Sequence, residues 1–105
     1  MAIGFPAKYK EIFQPDKKDT QATFGAAKKA ISALGWSLGA ETPNQLRGAT
    51  EISLVSWGEK IIIDANPDGS LTLLSKCAFP LQMIDYGRNR RNVQQLIAEI
   101  KKQLG

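Results

Sequence analysis

The chain has 105 residues, a formal net charge of +4, one cysteine and no histidine. The missing histidine excludes Ser-His-Asp and Cys-His mechanisms and histidine acid–base catalysis, and a lone cysteine forms neither an intrachain disulfide nor an ordinary zinc site. The 43% hydrophobic content predicts one globular domain over residues 1–105, and no apolar run approaches the roughly 20 residues of a membrane-spanning helix.

The first predicted element is a strand within residues 4–14. Ala7 and Tyr9 alternate there with Lys8 and Lys10, so that apolar and cationic side chains point to opposite sides. This period of two residues is typical of a strand with one buried face. We therefore expect the two lysines to face solvent.

A helix is predicted next, over residues 20–34. Asp19 or Thr20 supplies a side-chain N-cap, and Gly35 is a suitable left-handed stop after the last turn. Gly25 lies inside this helix, where glycine costs about 1 kcal/mol relative to alanine. We expect that glycine to mark close packing of the helix against the sheet.

Four strands follow, separated by turns at residues 42–44, 58–59 and 67–69. Glycine first in the two-residue loop Gly58-Glu59 indicates a II′ hairpin, and Gly69 suits the left-handed position of a three-residue loop. Residues 45–57 are long for one strand, so we expect a β-bulge at Gly48 or Glu51.

These turns predict the register of the four strands. Counting outward from each turn places Ala40 opposite Leu46, Leu54 opposite Ile63, and Ile63 opposite Leu73. One face then collects the apolar side chains and is the predicted core face. It comprises Trp36, Leu38, Ala40, Leu46, Ile52, Leu54, Ile61, Ile63, Leu71 and Leu73.

The last predicted element is a helix over about residues 89–104, ended by Gly105. Apolar side chains recur through it at helical spacing, and either Asn89 or Asn92 is a good N-cap. An apolar connector, Ala78 to Ile84, joins this helix to the sheet. The element order is therefore β-α-β-β-β-β-α.

That order predicts an α+β fold in which a curved antiparallel sheet has two helices packed on one face. It resembles the TATA-binding-protein-like arrangement, which is related to the helix-grip folds. The resemblance rests on element order alone, so it implies a fold class and no activity.

The sheet face opposite the core is the first candidate binding surface. The predicted register aligns apolar side chains across three strands on a face that one-sided helix packing leaves exposed to water. We expect either a surface for self-association or another protein, or an apolar or lipid ligand. The alternatives are that these side chains only support the sheet across strands, or that residues 76–84 fold over them. The candidate partner-binding residues are Val55, Trp57, Ile62 and Leu74.

Three arginines at the start of the last helix form the second candidate site. Arg88, Arg90 and Arg91 lie at the positive end of the helix dipole, where cations cost about 0.3–1 kcal/mol each. Either an acidic group such as Asp85 or Glu59 compensates them, or they bind an anion. The anion-binding set is completed by Lys60 and Lys76, which the register places opposite each other.

Catalytic groups are harder to find in this sequence. The alternation points Cys77 toward the core, where a cysteine usually behaves as a small hydrophobe. Glu59 and Asp68 are expected in turns at opposite ends of the sheet, and no carboxylate pair has a predicted pocket. We expect no catalytic residue.

Two motifs carry a family resemblance over roughly residues 5–104. Residues 56–63 (SWGEKIII) and residues 84–93 (IDYGRNRRNV) resemble a group of small uncharacterised bacterial domains that share a SWGEK-like hairpin and a D-aromatic-G-x-N-x-x-N-V helix start. The resemblance implies no reaction and no catalytic residues. In members with additional segments, it implies an accessory module of membrane-linked or multidomain proteins.

Together these features predict a non-enzymatic binding or protein-interaction module. The alternative is an anion-binding module for acidic lipid headgroups or nucleic acid, and a small enzyme on a helix-grip scaffold is a distant third. The N-terminus lacks the features of a secretory signal, and Ala2 stands where myristoylation requires glycine. We expect a cytoplasmic protein that has no cofactor or metal and is not transmembrane.

Overall fold

The computed structural model describes residues 7–17, 19–50, 58–78 and 87–105. Within these residues, two helices and five strands follow one another in the predicted order, β-α-β-β-β-β-α. The elements are β1 (Lys8–Phe13), α1 (Thr20–Ala33), β2 (Ser37–Thr42), β3 (Gln45–Ala49), β4 (Glu59–Ala65), β5 (Leu71–Cys77) and α2 (Arg88–Leu104).

The strands form one antiparallel sheet in the order β1-β5-β4-β3-β2. The first strand therefore lies beside the last, and β1 and β2 are the two edges. Both helices contribute to a single hydrophobic core with one face of the sheet. The predicted α+β class and element order are confirmed.

Helix α1 begins and ends as the capping pattern predicts. The Asp19 side chain accepts a hydrogen bond from the Ala22 amide at 3.1 Å, which satisfies one of the free donors of the first turn. Gly35 follows the helix with a φ of 76°, a conformation that glycine adopts without strain. The expectation for Gly25 is wrong, because a Cβ built on that residue meets nothing within 4 Å.

The hairpin between β4 and β5 also follows its prediction. Ile63 lies opposite Leu73, and Ala65 lies opposite Leu71. Gly69 closes the turn with a φ of 90° and donates its amide to the Asn66 carbonyl. The loop type and the register agree here because glycine occupies the one position that needs a left-handed conformation.

The β2–β3 pairing departs from prediction at a β-bulge. Leu38 lies opposite Gly48 as expected, but Ala40 lies opposite Arg47 instead of Leu46, so the extra residue is Gly39 in β2. The bulge is therefore across from the predicted site at Gly48. Because one inserted residue reverses the side to which the following side chains point, Ala40 shares the side of Arg47.

The predicted hairpin at Gly58-Glu59 is wrong. Glu59 is the first residue of β4, and β4 pairs directly with residues 45–49 of β3. Leu46 occupies the position opposite Ile63 that was predicted for Leu54. Residues 51–57, including Ile52, Leu54, Val55 and Trp57, lie outside the described residues.

The core lies between the helices and the inner face of the sheet. Leu38 is 37% exposed and Ala40 is exposed, so the predicted core face does not extend over edge strand β2. Trp36 packs partly buried against the cluster. The largest fully buried apolar side chains are Ile31, Leu46, Ile61, Ile63, Leu71, Leu73, Val93, Leu96 and Ile100.

Gly48 is the position where strand β3 comes closest to the backbone of its neighbour β2. A Cβ on this residue would lie 2.6 Å from the Ser37 carbonyl oxygen and 3.7 Å from the Ile31 side chain. Only glycine fits this close to the backbone of the edge strand. Gly48 therefore marks a close approach between neighbouring strands, and not the approach of α1 to the sheet that the sequence suggested for Gly25.

Helix α2 begins differently from prediction. Its N-cap is Gly87, with a φ of 83° and no side-chain cap, so neither Asn89 nor Asn92 is the cap. Both asparagines are buried on the side of the helix that faces the sheet, where they make hydrogen bonds to β5 and β4. In the part of the chain that is described, no helix is long and apolar enough to cross a membrane.

Candidate functional site

The outer face of the sheet is the side that carries no helix. The strand pairings place three cross-strand rows on it. In the order β1, β5, β4, β3, β2, the rows are Lys8, Lys76, Lys60, Ala49, Ser37; then Lys10, Leu74, Ile62, Arg47, Ala40; then Ile12, Thr72, Asp64, Gln45, Thr42.

The first of these rows brings three lysines side by side. Lys76 lies directly opposite Lys8 on one side and Lys60 on the other. Residues directly opposite in a sheet have Cβ atoms about 4.5–5.5 Å apart, and like charges at this spacing destabilise the pairing. The predicted Lys60–Lys76 pair is confirmed, and β1 adds a third cation that the sequence pattern did not place there.

The outer face carries a large excess of positive charge. Its described residues include five cations, Lys8, Lys10, Arg47, Lys60 and Lys76, and one carboxylate, Asp64, which accepts a hydrogen bond from Gln45 at 2.7 Å. The chain has fourteen cations and ten carboxylates. The remaining nine cations and nine carboxylates balance, so the net charge of these described outer-face residues equals the +4 of the whole chain.

The cations of the outer face have no acidic partner among the described residues. The two ion pairs there are Lys28–Glu41 and Arg88–Glu59, and both lie on the helix side of the sheet. Arg47 donates instead to the neutral amide oxygen of Gln45 at 2.9 Å. The face is thus a surface of positive charge with no compensation from the described part of the fold.

Between the two cationic flanks lies an apolar pair. Ile62 and Leu74 are cross-strand neighbours, with Arg47 opposite Ile62 and Lys10 opposite Leu74. Ile62 is only 8% exposed and Leu74 is half-buried, whereas Ile12 on edge strand β1 is 56% exposed. The predicted partner-binding residues Val55 and Trp57 lie outside the described residues.

A second group of polar residues, the buried polar cluster, joins the start of α2 to the sheet. We define it as Thr50, Glu59, Ser75, Arg88, Asn89 and Asn92. Glu59 is 3% exposed in β4, not in a turn as predicted. Its carboxylate accepts hydrogen bonds from Asn92 at 2.8 Å and Thr50 at 3.3 Å, and it pairs with Arg88 at 3.7 Å.

Asn89 is the centre of the same cluster and is fully buried. Its amide nitrogen donates to the Ala7 carbonyl at 2.9 Å, and its amide oxygen accepts from the Ser75 hydroxyl at 2.7 Å. Through these hydrogen bonds, the cluster connects α2 to β5 and to Ala7, the residue before β1. Every buried side-chain nitrogen and oxygen in the described residues has a partner, which indicates that the cluster stabilises the fold.

The buried polar cluster shows what compensates the charge of one of the three arginines at the start of α2. Arg88 finds the internal acidic partner that was one of the two predicted alternatives, Glu59. Arg90 lies close to the hydroxyl of Tyr9, and Arg91 is exposed. Asp85, the other predicted acidic partner, lies outside the described residues.

The structure therefore separates the predicted anion-binding set into two groups. Lys60 and Lys76 project from the outer face, whereas Arg88 contacts Glu59 on the helix side. Arg90 is also on the helix side, near Tyr9, whose cross-strand partner is the buried Ser75. One anion does not bridge these groups.

Tyr9 shows how the helix start and β1 are linked electrostatically. Its hydroxyl donates a 2.7 Å hydrogen bond to Glu11, and this bond, together with burial and the negative charge of Glu11, raises the pKa of Tyr9 above its ordinary value of 10.0. The nearby Arg90 acts in the opposite direction and lowers the same pKa. The hydrogen bond to Glu11 is the larger effect.

Cys77 is buried and points inward as predicted, with the Asn89 amide 3.5 Å from its sulfur. Within the described ranges, no group of three His, Cys, Asp or Glu side chains could hold a metal ion.

A groove of about 610 Å³ opens away from both sites, between the end of β1 and the two helices. Phe13 and Leu104 supply its apolar wall. Its charged side chains are two lysines, Lys17 and Lys101, and two aspartates, Asp16 and Asp19. The charges of these four side chains sum to zero.

The outer-face cations Lys8, Lys10 and Arg47 were missed as site residues, although part of the signal was in the sequence. The alternation within residues 4–14 already pointed Lys8 and Lys10 away from the core. The missing information was that β1 pairs with β5, the last strand in the chain. Unless that pairing is known, the lysines are scattered along the sequence and do not form a row.

Comparison with models of known protein families finds none that matches this chain. A search of curated proteins likewise finds no significantly similar sequence.

Proposed function

We propose that this chain is a non-enzymatic binding module that contacts an anionic partner through the outer face of its sheet. The observation that carries the proposal is the row Lys8, Lys76, Lys60. Lys76 lies directly opposite both Lys8 and Lys60, and these two like-charged pairs lower the stability of the fold. Such a row is explained if a bound anion neutralises it.

A purely structural explanation accounts for only part of this row. Edge strands often carry lysine, because charge there prevents pairing with another chain. Lys8 is on edge strand β1 and fits that explanation, but Lys60 and Lys76 are on β4 and β5, which have neighbours on both sides. Edge protection therefore does not account for the two central lysines.

The composition of the face also narrows the kind of partner. The cores of protein–protein interfaces are depleted in lysine, whereas four of the five cations here are lysines. A second copy of the chain docked face to face would place five cations against five. We therefore favour an anionic partner over self-association for this surface.

The other expectations from sequence remain part of the proposal. They are the cytoplasmic location, the absence of enzymatic activity, the likeness to TATA-binding-protein-like and helix-grip folds, and the relation to small bacterial domains with the two shared motifs. The structure adds one fact about those motifs. Glu59 from the first and Arg88, Asn89 and Asn92 from the second meet in the buried polar cluster.

The test compares two triple variants that remove the same charge from opposite sides of the molecule. In one, Lys8, Lys60 and Lys76 are changed to Gln. In the control, the exposed Lys17, Lys29 and Lys102 are changed to Gln. Affinity for heparin, poly-glutamate and single-stranded DNA is measured at low and physiological salt.

We expect the wild type and the control to bind at least one of these polyanions, with an affinity that falls as salt rises. The outer-face triple should bind at least about tenfold more weakly than the control, since each lost lysine removes a contact with the anion. Equal affinities of the two triples would refute the proposal, as would failure of the wild type to bind any of these polyanions and anionic lipid vesicles as well.

A further inference from the structure

We infer that the anionic partner of the outer face is the surface of an anionic lipid bilayer, on which the sheet lies with its three rows of side chains against the headgroups. This inference rests on the proposed function and specifies its partner. The support comes from the width of the face, its mixture of lysine and aliphatic side chains, and the position of Ile12.

The dimensions of the face disfavour double-stranded nucleic acid. Five neighbouring strands at about 4.8 Å spacing span roughly 19 Å. The major groove of DNA is about 12 Å wide, which admits a helix or a two-stranded ribbon. A five-stranded face is too broad to enter it, whereas a bilayer surface imposes no limit on width.

The side chains of the face disfavour single-stranded nucleic acid. Proteins that bind single strands on a sheet commonly stack bases on aromatic rings. The described residues of the outer face include no Phe, Tyr or Trp. Leu74 and Ile62 lie between Lys10 and Arg47, and Ile12 lies on edge strand β1 in the next row. Aliphatic side chains offer no stacking surface.

The same side chains suit the boundary between lipid headgroups and acyl chains. Interfacial binding combines buried apolar area with attraction of lysine to anionic headgroups. Lysine side chains have apolar stems and charged ends, so they can lie beside aliphatic groups while the ammonium reaches a phosphate. Ile12, 56% exposed on the same face as Lys8 and Lys10, is the aliphatic side chain most available for contact with lipid.

The proposed cytoplasmic location provides such a surface, because the cytoplasmic leaflet of membranes contains anionic lipids. The fold also orients the face for this contact. Both helices pack on the opposite side of the sheet, so that neither lies between the cations and a membrane plane.

The experiment measures partition of the full chain onto vesicles. Vesicles of phosphatidylcholine alone are compared with vesicles that also contain phosphatidylglycerol, at low and physiological salt, and single-stranded and duplex DNA serve as competing anions. The variants are the outer-face triple (Lys8, Lys60 and Lys76 to Gln) and its control (Lys17, Lys29 and Lys102 to Gln). Ile12→Ser tests the apolar contact, and Leu104→Ser, which alters an exposed leucine on α2, is its matched control.

We expect binding to the phosphatidylglycerol vesicles and not to phosphatidylcholine alone. The outer-face triple should lower the partition coefficient at least about tenfold, since each lysine near an anionic surface contributes several-fold. Ile12→Ser should lower it about threefold or more, while the control triple and Leu104→Ser leave it within about twofold of wild type.

Two results overturn the lipid inference and leave the proposed function in place. One is lysine-dependent binding to DNA or heparin with no binding to anionic vesicles. The other is vesicle binding that Ile12→Ser does not weaken, which would mean that the face makes no apolar contact with the bilayer. Absence of lysine-dependent binding to every anion overturns both.

Discussion

Asn89 illustrates how a single side chain can be assigned the right position and the wrong role. An asparagine just before an apolar helical stripe is a typical N-cap, but here the N-cap is Gly87, two residues earlier, and Asn89 is buried in the protein. Its amide both donates to Ala7 and accepts from Ser75. Only a side chain with a donor and an acceptor on the same planar group serves both partners.

Changing Asn89 to Asp should separate these two roles. At an N-cap the two residues are nearly equivalent, but in the buried polar cluster a carboxylate cannot donate to the Ala7 carbonyl. We expect Asn89→Asp to lower the free energy of unfolding by at least about 2 kcal/mol, measured by urea denaturation.

Gln94→Glu is the matched control, because it makes the same amide-to-carboxylate change at an exposed position of the same helix. It should change stability by less than about 0.5 kcal/mol. Equal, small effects of the two variants would show that Asn89 caps the helix and that the buried contacts are unimportant.

Tyr9 provides a pH-dependent test at the same scale. Because its folded-state pKa lies above the unfolded value, the folded protein holds the phenol proton more tightly. The stability from this group is complete below about pH 10 and is lost as the pH rises through the folded pKa. Glu11→Gln should lower the pKa of Tyr9, since it removes the negative charge and weakens the hydrogen bond.

The measurement is the alkaline absorbance titration of phenolate, with Tyr9→Phe used to assign the signal of Tyr9 rather than Tyr86. Tyr9→Phe should also flatten the dependence of stability on pH above about 10. A titration of Tyr9 below its ordinary pKa, or a pKa unmoved by Glu11→Gln, would contradict the role given to the Glu11 hydrogen bond.

At the scale of the elements, the glycine that close packing requires is not the one that the sequence suggests. Gly25, inside α1, has open space where a Cβ would stand, whereas Gly48 in β3 lies against the Ser37 carbonyl. Helix propensity shows that Gly25 destabilises the helix, but it does not show whether a packing contact requires glycine at that position. That depends on the surroundings of each glycine in the fold, and at Gly48 the crowding comes from the backbone of the neighbouring strand β2.

The same substitution should therefore have opposite effects at the two positions. Gly25→Ala should raise the free energy of unfolding by about 0.5–1 kcal/mol, because it lowers the conformational entropy of the unfolded chain without a clash. Gly48→Ala should lower it by about 1–3 kcal/mol, because the backbone of strand β2 must shift. Chemical denaturation of the two variants checks both values, and a stabilising Gly48→Ala would contradict the close approach.

The sequence predicts well those elements that are determined by residues close together in the chain. Helix α1, the 67–69 turn and the β4–β5 register depend on adjacent residues such as Asp19 and Gly69, and they are confirmed. The hairpin at Gly58-Glu59 was wrong because a glycine that permits a turn does not require one. The bulge at Gly39 shifts a register that turn length alone cannot specify.

At the scale of the whole molecule, the sheet sorts charge to one side. The lysines of the first strand and those of the last two strands are more than 40 residues apart in the sequence. The β1–β5 pairing brings them into one row on the outer face. A charge pattern of this kind depends on the topology, so no local analysis of the sequence could show it.

Lys76, in the middle of the row, should link stability and binding in opposite directions. Lys76→Glu replaces two repulsive cross-strand pairs by two attractive ones, so we expect the free energy of unfolding to rise by about 1 kcal/mol. The same change should weaken polyanion binding at least about tenfold. Thermal denaturation and heparin affinity measured on the same sample check the two effects, and a variant that binds normally would contradict the role of the row.

The most direct test of the central claim is a lysine acetylation footprint of the free and polyanion-bound protein, read by mass spectrometry. The outer-face account predicts that heparin or an anionic vesicle protects Lys8, Lys10, Lys60 and Lys76, and leaves Lys17, Lys29 and Lys102 as reactive as in the free protein. Protection confined to the helix lysines, or equal reactivity of all lysines with and without the polyanion, would contradict it.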